Sequence, residues 1–367
     1  MTHAKQTAYS NRSIEARKQN WRALLTRGQR TKNRFCFIVA YNDPAATEPV
    51  PAPLFWPGHA AARIERKYQD YRQALERSIW LDDDAIPCLN MITGTEIFAE
   101  AFGCPVHRPD PGAPFAMPMI HAAGEVAKIK VPDLGSSTLA YLFDMADELK
   151  RRAGSDAILG MVDVQSPMDI AALIWEKASF FVGMIETPEA VKELAGKARQ
   201  LLAAFLDEWF RRYGTEFIAH WPAYLMTDGL TLSEDEVGAV NADMFEEFFL
   251  PELAALSKRY GGIGMHCCAD AKHQWNHFRR IPGLRLLNLF NPPTRPPESY
   301  IKEAYPFFRD TCAQWHMGWL PSGNPETWPR QYPEGARVVI NVAANSKEDA
   351  IRLCAKLQEV RQRLDAE

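Results

Sequence analysis

The sequence has no apolar run approaching the roughly 20 residues of a membrane span. It has no basic excess either: 42 Lys and Arg stand against 46 Asp and Glu, for a formal net charge of −4. That balance argues against nucleic acid as the main partner, because neutralising phosphates requires a basic face. Neither GxGxxG nor GxxxxGK[ST] occurs, so the common nucleotide loops are absent. Cysteine is sparse, seven in 367 residues with one adjacent pair, which is not a disulfide framework. The opening segment MTHAKQTAYSNRSIEARKQNW is polar and lacks an apolar signal core, so a cytoplasmic location is expected. No internal repeat and no low-complexity tract is found.

What is present is the composition of a globular protein, 47% hydrophobic and 24% charged. The length fits two average domains or one large α/β barrel. Residues 10–30 read as an amphipathic helix with Ser13 as its cap and Ile14, Trp21, Leu24 and Leu25 on one face. Short, continuously apolar runs then recur at 36–42, 86–92, 157–163, 216–221, 262–268, 284–290, 314–320 and 337–342. Between many of them lie helical patterns, including 169–184, 188–213 with Pro188 near its first position, 243–260 capped by Asn241, and 346–364. Alternation of this kind means βαβ units, and strands without polar alternation are covered on both faces. The fold expected is α/β, a single (β/α)8 TIM barrel spanning 33–367 with an N-terminal helical extension over 1–32. The Pro-rich stretch DPAATEPVPAPLFWPG is expected to be a functional loop.

In a parallel barrel the active site stands at the C-terminal ends of the strands. Reading those ends gives Asp163 and Gln165, then His220, Trp221 and Tyr224, then His266, Cys267 and Cys268, then Asn288, and finally His316 and Trp319. In GMHCCAD, His266 and Cys268 are two residues apart on a strand, so both side chains point to one face. Imidazole and thiolate together suit zinc. The alternative is a pair of small core cysteines beside a histidine bonded to a backbone carbonyl. His273 and His277, four apart, read as a surface pair. The run DDD at 82–84 reads as a solvated loop, with cation binding or acid–base work as its alternative. Asp163 with Gln165 suits substrate contact or a structural hydrogen bond. Trp56, Trp221, Tyr224, Trp315 and Trp319 suit a large apolar pocket or, singly, core packing.

The order of EIFAEAFGCPV (96–106), VDVQSPMDIAALIW (162–175), TPEAVKEL (187–194), DGLTLSEDEVGAVNADMFEEFFLPEL (228–253) and GMHCCAD (264–270) resembles the uroporphyrinogen decarboxylase superfamily, from about residue 33 to the C-terminus. The resemblance implies a TIM barrel and two chemistries: cofactor-free decarboxylation of a tetrapyrrole, and zinc-dependent methyl transfer between a corrinoid protein and a thiol. The decarboxylase branch matches poorly. AYNDPAATEP stands where that branch carries its Arg-rich segment, Leu173 where it carries a Tyr, and RVVINVAANSKED has no His. A polycarboxylate substrate requires such Arg and His partners.

The methyltransferase branch fits better, with His266 and Cys268 matching its His-x-Cys motif. Its downstream Cys would fall near Val342 to Ala344, where there is none. A replacement ligand is then required: Cys312, His316, His220 or a carboxylate, of which Cys312 is carried forward. The resemblance and the strand ends together make His266, Asp163 and His220 the candidate catalytic residues. Gln165, Trp221, Tyr224, Asn288 and Trp319 are the candidate substrate contacts, and His266, Cys268 and Cys312 the candidate metal ligands. Zinc, a corrinoid co-substrate, a small-molecule substrate and a corrinoid-protein partner are the expected company, with neither nucleic acid nor membrane. The alternative readings are a cofactor-free decarboxylase or lyase acting on a small carboxylated substrate, and a non-enzymatic binding module.

Overall fold

The computed structural model describes residues 2–26, 33–41, 57–109 and 112–366. Trp56 and most of the Pro-rich connection lie outside the described residues. Eight parallel strands follow one another around a ring: β1 (Arg34–Ala40), β2 (Cys88–Leu89), β3 (Ile158–Leu159), β4 (Leu230–Ser233), β5 (Ile263–Cys267), β6 (Leu284–Leu289), β7 (Ala313–Gln314) and β8 (Arg337–Ala343). Pairing is continuous from β1 through β8, β7, β6 and β5 to β4. It passes on to the end of β3 through the bridge Gln165↔Ser233, and from β3 to β2 through Cys88↔Ile158. The chain is thus an α/β barrel in sequence order.

The seam lies between β1 and β2, where no strand pair forms among the described residues. Residues 82–84 fill it. Asp84 Oδ2 accepts the Phe37 N–H at 2.8 Å and Asp83 Oδ2 accepts the Val39 N–H at 3.0 Å. Both carboxylates are buried and ion-paired, Asp83 with Arg77 and Asp84 with Arg361. The acidic run is therefore structural. Two of its three members replace a missing neighbour strand at the edge of β1, and only Asp82 is solvated.

The N-terminal helix α1 (Thr2–Leu25) lies across the bottom of the ring. Its Trp21 is buried, stacks on Trp315 at 6.0 Å and packs at 6.2 Å on Tyr224. Arg337, at the start of β8, donates to the carbonyls of Leu24 and Thr26. Helix α1 runs past Ser13, which bonds Asp82 from mid-helix and does not cap it. Other local signals act as the chemistry of their residues requires. Asn241 Oδ1 accepts the Met244 N–H at 2.9 Å, and Pro188 opens the helix α2 (Pro188–Tyr213). No helix among the described residues is long and apolar enough to cross a membrane.

Two expected strands differ. The run at 314–320 forms a regular strand only at Ala313–Gln314, then parts from β8 and follows β6 as far as the bridge Phe290↔Met317. The run at 216–221 is no barrel stave. Phe217–Ile218 forms an antiparallel hairpin with Leu225–Met226 and meets the segment just after β3 through the parallel bridge Gly160↔Ile218. The fourth stave is Leu230–Ser233, entered through Gly229 at φ +109, where an added Cβ would lie 2.5 Å from the Gly262 carbonyl.

Candidate metal centre and active site

Strand β5 brings His266 and Cys268 to the mouth of the barrel, and β4 delivers Asp235 beside them. The ligand atoms of these three residues all lie within 4.8 Å of one another. Asp235 Oδ1 accepts the Cys268 N–H at 2.6 Å. Burial and the neighbouring Asp235 carboxylate push the Cys268 thiol up to about 12. Carboxylate, imidazole and thiol in one cluster form a borderline-soft donor set that fits zinc, with three protein ligands and one open position.

The shell behind these ligands is built. His266 Nδ1 donates to Asn288 Oδ1 at 2.5 Å, and Asn288 Nδ2 in turn donates to the Trp315 carbonyl. That fixes the imidazole with Nε2 free to face the cluster. Asn288 is fully buried with both ends of its amide engaged. It is therefore a positioning residue for His266 rather than the substrate contact expected from its place at a strand end. Asn288→Ala is expected to weaken zinc binding about 10- to 100-fold, in line with other outer-shell partners. A chelator competition showing unchanged affinity would remove Asn288 from that role.

Asp235 is held in the same way. Asp169 accepts its backbone N–H at 2.8 Å and that of Glu236 at 3.1 Å. Asp169 and Glu234 are buried side by side, and burial pushes both carboxyls up, helped by the charge of Asp235 at Asp169 and by that of Asp169 at Glu234, so the pair retains a proton.

Cys312 stands apart. It precedes β7, whose Gln314 pairs with Leu287, one step before Asn288 and His266. It is buried about three residues, on the order of 10 Å, below the cluster. The third ligand-type side chain beside His266 and Cys268 is the carboxylate of Asp235. Tyr224 is also low in the ring. It is buried against Trp21, and a Cβ on Gly264 would lie 1.8 Å from its hydroxyl. It packs the interior and does not line the mouth. His273 bonds the Val240 carbonyl, and His277 faces Glu246, so neither joins the site.

A second polar group adjoins the first. His220 Nε2 lies 3.1 Å from Ser233 Oγ and 3.5 Å from Asp163 Oδ1, and Gln165 Nε2 donates to that same Asp163 oxygen at 2.5 Å. Burial, which outweighs the pull of Asp163, lowers the His220 pKa, and the imidazole is neutral. Its Nδ1 has no hydrogen-bond partner. His220 is buried at the tip of the hairpin, and the next residue, Trp221, is 46% exposed.

Glu96, after β2, is buried near Asp163 with Oε2 unpartnered, and burial raises its carboxyl to about 7. The folded protein therefore holds a proton there that the unfolded chain releases near 4.5, so stability falls as pH rises between those values. Glu96→Gln is expected to raise stability by roughly 2–3 kcal/mol at pH 8 and by little at pH 5. Equal gains at both pH values in thermal melts would contradict this.

An eight-stranded parallel barrel with a His–Cys–Asp cluster at the C-terminal ends of its strands defines an α/β-barrel protein with a candidate metal-binding group at its mouth. A family model described as uroporphyrinogen decarboxylase (URO-D) matches residues 88–289, and the chain belongs to that family. Among solved structures, a methyltransferase from Methanosarcina mazei superposes with a TM-score of 0.56 at 12% identity, covering 87% of this chain and 96% of that one. That likeness is one of fold. No curated protein matches the chain.

Asp235, Ser233, Asp169 and Glu96 are absent from the strand-end reading. Asp235 and Ser233 lie within the DGLTLSEDEV stretch, where Asp228–Gly229 signals a turn before a short strand. EFIAHW is the more apolar segment and carries the stronger strand signal.

Proposed function

We propose that this protein is a metal-dependent methyltransferase-type enzyme, with zinc held by Asp235, His266 and Cys268. A thiol or similar acceptor would enter the open position, and a corrinoid, carried by a partner protein, would donate the methyl group. The observation that carries this reading is the convergence of the three ligand atoms at the ends of β4 and β5. The family and the methyltransferase fold neighbour support it.

The chemistry zinc supplies at such a donor set is a lowered pKa for a thiol bound in the open position. The chain's own residues do the rest. Asn288 fixes the His266 tautomer, and Asp169 fixes the segment carrying Asp235. Asp163 and Ser233 hold the proton of His220 at Nε2, which leaves Nδ1 as the base that takes a proton from the acceptor. Gln165 locks Asp163 in place. Trp221 and Trp319 offer aromatic surface to the substrate.

The test is to supply zinc-loaded protein with methylcobalamin and small thiols and to follow loss of the methyl–cobalt absorbance. Demethylation by the wild type that is lost in Cys268→Ser supports the reading. Equal rates in both proteins would end it.

A further inference from the structure

Strands β7 and β8 pair at Gln314↔Val338 and then part. Above that point β7 bends toward β6, where the Met317 N–H donates to the Leu289 carbonyl at 2.9 Å and the Asn291 N–H to the Met317 carbonyl at 3.1 Å. The gap left behind is a cavity of about 370 Å³. Met317, Val339 and Asn341 wall it from the barrel side, Tyr305 and His316 from the helix layer, and Trp319 stands over it. Its volume is in the range of small-molecule sites.

Nothing that lines this cavity is charged. Burial pushes His316 down to about 3, so its imidazole is neutral. Both ring nitrogens are engaged, Nδ1 with the Leu289 N–H at 3.0 Å and Nε2 with Gln314 Oε1 at 3.0 Å. Trp319 and Tyr305 face each other at 5.8 Å. Asn341 Nδ2 has Met317 Sδ at 3.9 Å, a weak acceptor, so it remains able to donate to a better one.

The surroundings argue against anions. The chain segments that follow the strands carry no Lys or Arg at 41–56, 90–96, 163–176, 234–244 or 343–346. Lys272 is tied to Glu303, Arg295 to Asp270 and Arg108 to Glu100. Lys302 lies 5.9 Å from the centre of the Trp319 ring but is not among the residues that line the cavity, and the carboxylates of Asp163 and Asp235 stand at the same mouth, so an incoming carboxylate would meet repulsion there.

We propose that this cavity binds the substrate, and that the substrate is an uncharged molecule with an aromatic body and an oxygen that accepts from Asn341 Nδ2. His266, Asn288 and the path of β7 are at one level, so the cavity lies two strand spacings, about 10 Å, from His266. An aromatic body of ordinary length placed there directs its far end at the Asp235–His266–Cys268 cluster. Only this last placement rests on the proposed function.

The experiment is a binding titration of metal-free protein with 4-methylbenzyl alcohol and 4-methylbenzoate, two probes of one shape that differ in charge. The alcohol is expected to bind, and the carboxylate to bind about tenfold more weakly or worse, the effect of burying an uncompensated charge. Val339→Phe fills the cavity and is expected to weaken the alcohol about tenfold. Trp319→Ala, which cannot overpack, is expected to weaken it several-fold. Zinc affinity, measured separately, should be unchanged in both variants.

Equal or tighter binding of the carboxylate overturns the proposal. So does failure of the alcohol to bind up to its solubility, or unchanged affinity in Trp319→Ala. Alcohol binding by a protein without zinc affinity would leave the cavity assignment standing and remove the metal reading, so the two failures are distinct.

Discussion

One equivalent of zinc is expected to bind the wild-type protein, and Cys268→Ser, His266→Ala and Asp235→Ala are each expected to lower the affinity on the order of a hundredfold or more. The three ligand atoms already lie within 4.8 Å of one another, so closing them around an ion requires little rearrangement. Each ligand supplies a large share of the binding free energy of a site with three protein donors. Cys312→Ser is the contrasting variant. Cys312 is buried well below the cluster, and its loss should leave affinity unchanged. Competition against a chromophoric chelator measures all four. Unchanged stoichiometry and affinity in both His266→Ala and Cys268→Ser would remove this pair from the chemistry. A loss in Cys312→Ser equal to that in Cys268→Ser would mean the register of β7 is misassigned.

The largest stability effect is expected at Asp84. Its carboxylate is 1% exposed and accepts from the Phe37 N–H, from Asn20 Nδ2 at 2.7 Å and twice from Arg361 Nη1, at 2.9 and 2.8 Å. Asp84→Ala leaves a largely buried guanidinium without its counter-charge and a β1 amide without its acceptor, at the one seam where β1 has no neighbour strand. The cost is about 3–5 kcal/mol. Asp82→Ala, two residues away at an exposed side chain, should cost less than about 1 kcal/mol. The double variant Asp84→Leu/Arg361→Met should be milder than either single loss, because it removes both charges together. Denaturant melts decide. A change under about 1 kcal/mol for Asp84→Ala would show that the seam does not depend on this carboxylate.

Much of the fold was legible because burial on both faces writes itself into a strand as a continuous apolar run. RFCFIVA, IGMHC, LRLLNL and RVVINVA are such runs, and all four became staves. The hairpin at 217–226 was not legible, since EFIAHW carries the same signal. Apolarity records that a segment is covered, not whether its partner is a barrel strand or its own return. Leu230–Ser233, the true fourth stave, is only four residues long and is followed at once by acidic residues.

The sequence by itself determined the class of fold, through apolar strands alternating with capped helices. It also determined that His266 and Cys268 share a face, because side-chain direction along a strand has a period of two residues. Tertiary structure alone decided their company. Asp235 comes from a neighbouring stave 31 residues earlier in the chain, Asn288 from the stave on the other side, and His220 from a hairpin tip. No local pattern encodes such meetings, because they depend on which strands are adjacent and at what register. The same holds for the acidic run at 82–84, which looks solvated until the missing strand pair beside β1 gives its carboxylates backbone amides to bind.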